Sequence, residues 1–142
     1  MVSPASGAAD RMNRPVKTPG PDHPIEIHAA GSAFRAVCAG LVLAHSARVL
    51  VMQEARYPQV VYFPREDVDF SLIERSSTTS WCPYKGEASY FSLKANDAAC
   101  VAAIADVAWS YETPLPAMQE NAGYDMAGYL AFYANKVVVE GA

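Results

Sequence analysis

Four short stretches of this 142-residue chain gather most of the side chains able to do chemistry. They are Glu54-Ala55-Arg56-Tyr57-Pro58, Tyr62-Phe63-Pro64-Arg65-Glu66-Asp67-Val68, the run from Thr78 to Gly86 leading to Tyr90, and Ala108-Trp109-Ser110-Tyr111-Glu112-Thr113-Pro114. In the third, Cys82 precedes Pro83 and stands three residues before Lys85. A nearby ammonium favours the thiolate, which makes Cys82 a candidate nucleophile or redox centre. Nucleophilic catalysis also needs a general base, and His23, His28 and His45 all lie far off along the chain. The competing reading is a half-buried thiol packed beside Trp81 or Tyr84, with Lys85 solvated.

Arg65, followed by Glu66 and Asp67, could clamp a carboxylate or phosphate, because the guanidinium fork makes two parallel bonds to such a group. The alternative is a turn in which Asp67 caps a short helix and Arg65 pairs with a neighbouring acid. Trp109 and Tyr111 fall on one face of a strand and, with Tyr62 and Tyr90, could line an aromatic pocket for an apolar or cationic ligand. They could equally fill a core that has few leucines. Glu66/Asp67 and the more distant Glu54 and Glu112 supply carboxylates for an acid/base pair, but nothing in the spacing shows that any two of them meet.

The elements that must position these groups are short. Ile25-Glu26-Ile27-His28 alternates apolar and polar residues as a half-buried strand does. Residues 34–38 and 41–44 predict a hairpin turning on Ala39-Gly40. Residues 48–53, 59–63 and 88–93 are further β-rich runs. Asp67 is expected to cap a helix through Glu74, with Val68, Leu72 and Ile73 inward. Residues 98–108 are alanine-rich after Asn96-Asp97, which favours a helix. Val107, Trp109 and Tyr111 alternate, however, so a strand is expected from about Ile104 and the stretch before it stays open. Residues 128–133 are expected to pair with 137–140 across Ala134-Asn135-Lys136. The sum is a mostly-β domain of about eight short strands in two antiparallel sheets, sandwich-like or an open barrel, with one or two short helices.

Composition sets the outer limits. Apolar residues make up 51%, aromatics 11% and charged residues 18%, which suits one folded domain and excludes wholesale disorder. Residues 1–24 hold five of the ten prolines and almost no large apolar side chain, and are expected to form a mobile tail ahead of a domain over 25–142. Met12 is an alternative start. A net charge of −4 argues against a phosphate-tracking nucleic-acid surface. The longest apolar run, residues 36–44, is too short to span a bilayer, and no signal peptide is visible at the start. Cys38, Cys82 and Cys100 are odd in number and widely spaced, with no C-x-x-C pair. A disulfide framework and a structural zinc site are therefore not expected, and a reducing cytoplasm is. Phosphate-loop, dinucleotide, zinc-protease and nucleophile-elbow motifs are all absent.

The same stretches carry a resemblance. E-A-x-Y-P (54–58), Y-x-P-R-x-D-V (62–68), C-P-Y-K-G-x-A-x-Y (82–90, within 79–90), A-W-x-Y-x-x-P (108–114) and G-x-x-A-F-Y (128–133) occur in an order that resembles the family called domain of unknown function 427, over roughly residues 25–140. The resemblance implies a small all-β domain similar to the tent-like fold of the methionine sulfoxide reductase B and cereblon ligand-binding classes. Some members carry a nucleotidyltransferase label, but this chain lacks a glycine-serine motif with paired aspartates. Relatives of that fold often hold zinc on two C-x-x-C pairs, which are missing here, and a reductase-like role for Cys82 would rest on fold analogy.

The leading expectation is a cytoplasmic domain binding a small, anionic ligand in a pocket of Tyr62, Arg65, Asp67, Cys82, Lys85, Tyr90, Trp109 and Tyr111, with no cofactor and no metal. Arg65 and Lys85 would draw the anion. The alternatives are a Cys82-dependent enzyme or redox protein, and a partner-binding module that dimerises through an exposed strand edge.

Overall fold

The structure, a computed structural model, describes residues 14–116 and 124–142. Among the described residues there are ten strands: β1 (Ile25–Ala29), β2 (Phe34–Cys38), β3 (Leu41–Ser46), β4 (Leu50–Glu54), β5 (Val60–Tyr62), β6 (Ile73–Cys82), β7 (Gly86–Leu93), β8 (Ile104–Ser110), β9 (Leu130–Phe132) and β10 (Val138–Gly141). The mostly-β fold class expected from sequence is borne out. The finer count differs, with ten strands in three antiparallel sheets ordered β1-β4-β5, β10-β2-β3 and β6-β7-β8-β9. Among the described residues no helix is long and apolar enough to cross a membrane.

Local sequence explains most of the turns. Ala39 and Gly40 both take positive φ, 51° and 81°, as the tight turn between β2 and β3 requires. Gly86, with φ 106°, opens β7 where a Cβ would meet the Thr113 carbonyl oxygen at 3.4 Å, so the turn after Cys82 depends on a residue without a side chain. The strand beginning at Ile104 forms as expected, while residues 97–100 are a turn in which Asn96 Oδ1 accepts the Ala99 N–H at 3.0 Å.

Three expectations are corrected. The helix over 67–74 is a single 3-10 turn at Arg65–Asp67, and its N-cap position, Pro64, makes no side-chain capping bond. The Asp67 carboxylate instead accepts from Ser46 Oγ at 2.5 Å and Arg48 Nη2 at 3.2 Å. Ile73 already belongs to β6, an edge strand whose Ser/Thr-rich, largely exposed sequence carries no apolar alternation to reveal it. The hairpin between 128–133 and 137–140 does not form. β9 pairs with β8 and β10 with β2, because the Tyr133–Lys136 turn carries the chain from one sheet to another.

Two sheets are joined where β5 runs on into Phe63. Its N–H donates to the Leu130 carbonyl at 2.7 Å, and the Leu130 N–H returns a bond at 2.9 Å. The main apolar cluster closes around this seam, with Leu43, Phe63, Leu93, Val107, Leu130 and Val137 essentially sealed from solvent. Phe63 meets Phe132 edge-on at 5.6 Å. A second cluster between β1-β4-β5 and the four-stranded sheet is rich in polar aromatics: Ile25, Ile27, Leu50, Met52, Tyr62 and Tyr111 are buried, with Trp109, Tyr90 and Tyr84 packed against them. An interior built from tyrosine and tryptophan leaves hydroxyls and an indole N–H that need partners, and the functional candidates lie there.

Of the segment expected to be a mobile tail, residues 1–13 lie outside the described residues. Residues 14–24 run across the β6–β7 turn. Trp81 Nε1 donates to the Pro15 carbonyl at 2.7 Å, and the Lys17 N–H to that of Pro83 at 2.8 Å. The Arg14 guanidinium sits over the Trp81 ring, and the Ala55 N–H donates to the Pro24 carbonyl at 2.8 Å.

Candidate functional site

Alternation along β4 places Leu50, Met52 and Glu54 on one face, while β5 adds Val60 and Tyr62. Opposite them, β7 and β8 set Tyr90 and Trp109 side by side in register. Tyr111 follows just beyond β8, and Tyr133 just beyond β9. Between these walls lies a recess of about 220 Å³, lined by Met52, Glu54, Tyr57, Val60, Tyr62, Lys85, Tyr90, Trp109, Tyr111 and Tyr133 among others. At roughly 30 Å³ per water it would hold about seven water-sized groups, the scale of a small organic molecule.

At one end stands an ion pair. Lys85, in the turn closed by Gly86, donates to Glu54 Oε1, and His23 Nε2 lies 2.8 Å from Glu54 Oε2. The Lys85 side chain is 11% exposed and that of Glu54 16%, so the pair is largely withdrawn from water. Burial by itself would raise the Glu54 carboxyl, but hydrogen bonds from Lys85 and His23 outweigh it and hold the group below its ordinary range. Burial likewise opposes the Lys85 charge, yet Tyr62 and Glu54 together keep its value above the ordinary one. Both groups are therefore ionised at neutral pH. His23 is fixed from the other side by stacking on Tyr84, with ring centroids 3.9 Å apart and planes within 6°.

The recess presents mainly hydrogen-bond donors. Burial pushes the Tyr62 and Tyr111 hydroxyls well above the usual phenol range, so both keep their protons. Trp109 Nε1 donates to the Tyr62 hydroxyl at 3.3 Å, the Lys85 ammonium lies 5.4 Å from the Tyr111 ring centroid, and Tyr90 and Ser80 hydroxyls are 2.8 Å apart. The lone carboxylate in the lining, Glu54, already spends an oxygen each on Lys85 and His23. An ammonium has three donors, of which Glu54 takes one.

Of the residues singled out from sequence, the structure brings together Tyr62, Lys85, Tyr90, Trp109 and Tyr111. Arg65, Asp67 and Cys82 do not line the recess. Arg65 pairs with Glu112 at 3.0 Å, donates to the Gly128 carbonyl at 3.3 Å and lies over the rings of Phe70 and Phe91. Glu112 is also gripped by both Arg75 guanidinium nitrogens, at 2.9 and 2.7 Å. Cys82 ends β6 and packs against the second apolar cluster. Sequence reasoning considered Glu54 only as an unmatched carboxylate and His23 only as a histidine remote from Cys82, and gave Tyr133 no place in the pocket. Glu54 could have been found as the acid that ends a strand opening on the buried apolar run Leu50-Val51-Met52. His23 gave no signal, since its position comes from how residues 14–24 cross the β6–β7 turn. Among the described residues, no group of three or more His, Cys, Asp or Glu is placed to hold a metal ion.

Fold and site together define a small antiparallel β domain with an aromatic-walled recess closed by a buried Lys–Glu pair. The family model for the domain of unknown function DUF427 matches residues 26–141, and the chain belongs to that family. No curated protein matches the chain.

Proposed function

We propose that the chain binds a small, planar molecule whose carboxylate or carbonyl is received by Lys85, Tyr62 and Tyr111, with Trp109, Tyr90 and Tyr133 against its body. The observation that carries this reading is a largely buried ammonium beside two buried phenols at the end of an aromatic recess. A ligand oxygen would accept the Lys85 protons that Glu54 leaves over and the phenol protons of Tyr62 and Tyr111. Compared with the pocket expected from sequence, Lys85 alone provides the cationic end and Arg65 takes no part. Benzoate, titrated by two-dimensional NMR, is the probe. Shifts confined to recess residues, lost in Lys85→Met, are the expected result. If neither benzoate nor benzamide perturbs those residues, the reading falls.

A second reading keeps Cys82 as a reactive thiol, supported by its place at the end of β6, three residues before Lys85 and packed against the cluster that holds Tyr62 and Tyr111. Rapid alkylation of Cys82 at neutral pH supports it. A thiol protected until the chain is unfolded removes it. We further propose action in the cytoplasm, without nucleic-acid or membrane partners. Unpaired Cys38, Cys82 and Cys100 and a net charge of −4 support this. Dimerisation through a sheet edge is testable by solution mass.

A further inference from the structure

Tyr90 and Tyr133 wall the recess on one side only. Beyond them lies a second hollow of about 380 Å³, lined by Thr78, Tyr90, Asp106, Tyr133, Asn135 and Lys136. The two tyrosines belong to both spaces, their rings within 12° of parallel and 6.4 Å apart between centroids. The chemistry changes across them. The recess is aromatic, whereas the second hollow is lined by hydroxyl, amide, carboxylate and ammonium groups.

Irregular pairing builds that lining. The β6–β7 ladder breaks between Arg75 and Thr79, which leaves Ser76 and Thr78 outside it. Their hydroxyls turn to the Asp106 carboxylate, Ser76 at 2.6 Å on Oδ1 and Thr78 at 2.7 Å on Oδ2. Each carboxylate oxygen keeps a further lone pair for a ligand. Lys136 Nζ donates to the carbonyls of Ala105 and Asp106 at 3.0 and 3.1 Å and retains a third proton. Acceptors and donors thus stand close together beside two ring faces. That suits neighbouring hydroxyls, which both give and take hydrogen bonds, on a carbon frame whose C–H face can lie against an aromatic ring.

We propose that the recess ligand continues as a polyhydroxylated, sugar-like group that passes the Tyr90–Tyr133 pair and lies against Asp106, Asn135 and Lys136. This rests on the recess reading for its other half. The test titrates the full chain with benzoate, with 4-carboxyphenyl β-glucoside and with methyl β-glucoside, following Kd by NMR. One added pair of well-made hydrogen bonds corresponds to about a tenfold gain. The expected result is therefore that the aryl glucoside binds about tenfold tighter than benzoate. Asp106→Ala should remove that gain and leave benzoate binding within about twofold. Asn135→Ala, on an exposed turn, should remove part of it with folding untouched. A glucoside no tighter than benzoate, or a gain insensitive to both variants, overturns the proposal. Benzoate silent with a glucoside that binds and depends on Asp106 sinks the recess reading alone. Silence of all three compounds sinks both.

Discussion

Replacing Lys85 by methionine keeps the length and apolar stem of the side chain but strands the Glu54 carboxylate. Breaking a fully buried ion pair by removing one partner costs about 3–5 kcal/mol. Here His23 still bonds Glu54, and the recess admits water, so we expect about 2 kcal/mol, below the fully buried figure but well above that of an exposed pair. For a domain of this size that corresponds to a fall in Tm of about 8 °C. Urea unfolding followed by tryptophan fluorescence measures the loss directly. Glu54→Gln and the double variant complete a cycle in which the double should cost clearly less than the sum of the singles. The pH dependence has a definite sign. Glu54 is depressed in the folded state, so its contribution is present above the unfolded carboxyl value of 4.5 and is lost as pH falls through the lower folded value. Lys85 is raised, so its contribution is present below 10.5 and is lost as pH climbs through the higher folded value. The wild type should therefore show both an acid and an alkaline decline. In Lys85→Met the acid decline should be shallower, and the Lys85 part of the alkaline one gone. A loss under about 0.5 kcal/mol, typical of exposed pairs, with an unchanged acid arm, would refute the argument that this pair is withdrawn from water.

Arg65→Ala should leave benzoate affinity unchanged while lowering stability by about 1 kcal/mol, because its Glu112 pairing and ring contacts lie outside the recess; calorimetric titration and thermal unfolding separate the two. Ser110 Oγ is buried with no hydrogen-bond partner among the described residues, so Ser110→Ala should stabilise the chain by about 1 kcal/mol, and a loss in chemical denaturation would show a missing partner. Of the three thiols, exposed Cys100 should react first with iodoacetamide. Cys38, whose thiol burial pushes up and which donates to the Lys136 carbonyl, should react only on unfolding, as peptide mapping will read out. His23→Ala removes one partner of Glu54 and should reduce the stability lost on acidification from about pH 5 to 3, measured by urea unfolding at each pH.

Elements whose information is local can be read from the order of residues alone. The Ala39-Gly40 hairpin, the alternation of β1, and the strand from Ile104 follow from turn chemistry and a two-residue period, which need only neighbours along the chain. The gathering of reactive and aromatic side chains in short stretches, also a local signal, put Tyr62, Lys85, Tyr90, Trp109 and Tyr111 among the candidates. It failed where a residue's fate depends on which partner arrives from elsewhere. β6 is polar because it is an edge, and β9 and β10 separate because each finds its partner, β8 or β2, in a different sheet. Arg65 and Lys85 look alike as cations in a motif. Only the packing of β4 against the β6–β7 turn gives Lys85 a buried carboxylate, and only the approach of Glu112 draws Arg65 away from the recess. Side-chain type fixes what a group can do, whereas the burial and charge around it, which no local window contains, decide what it does.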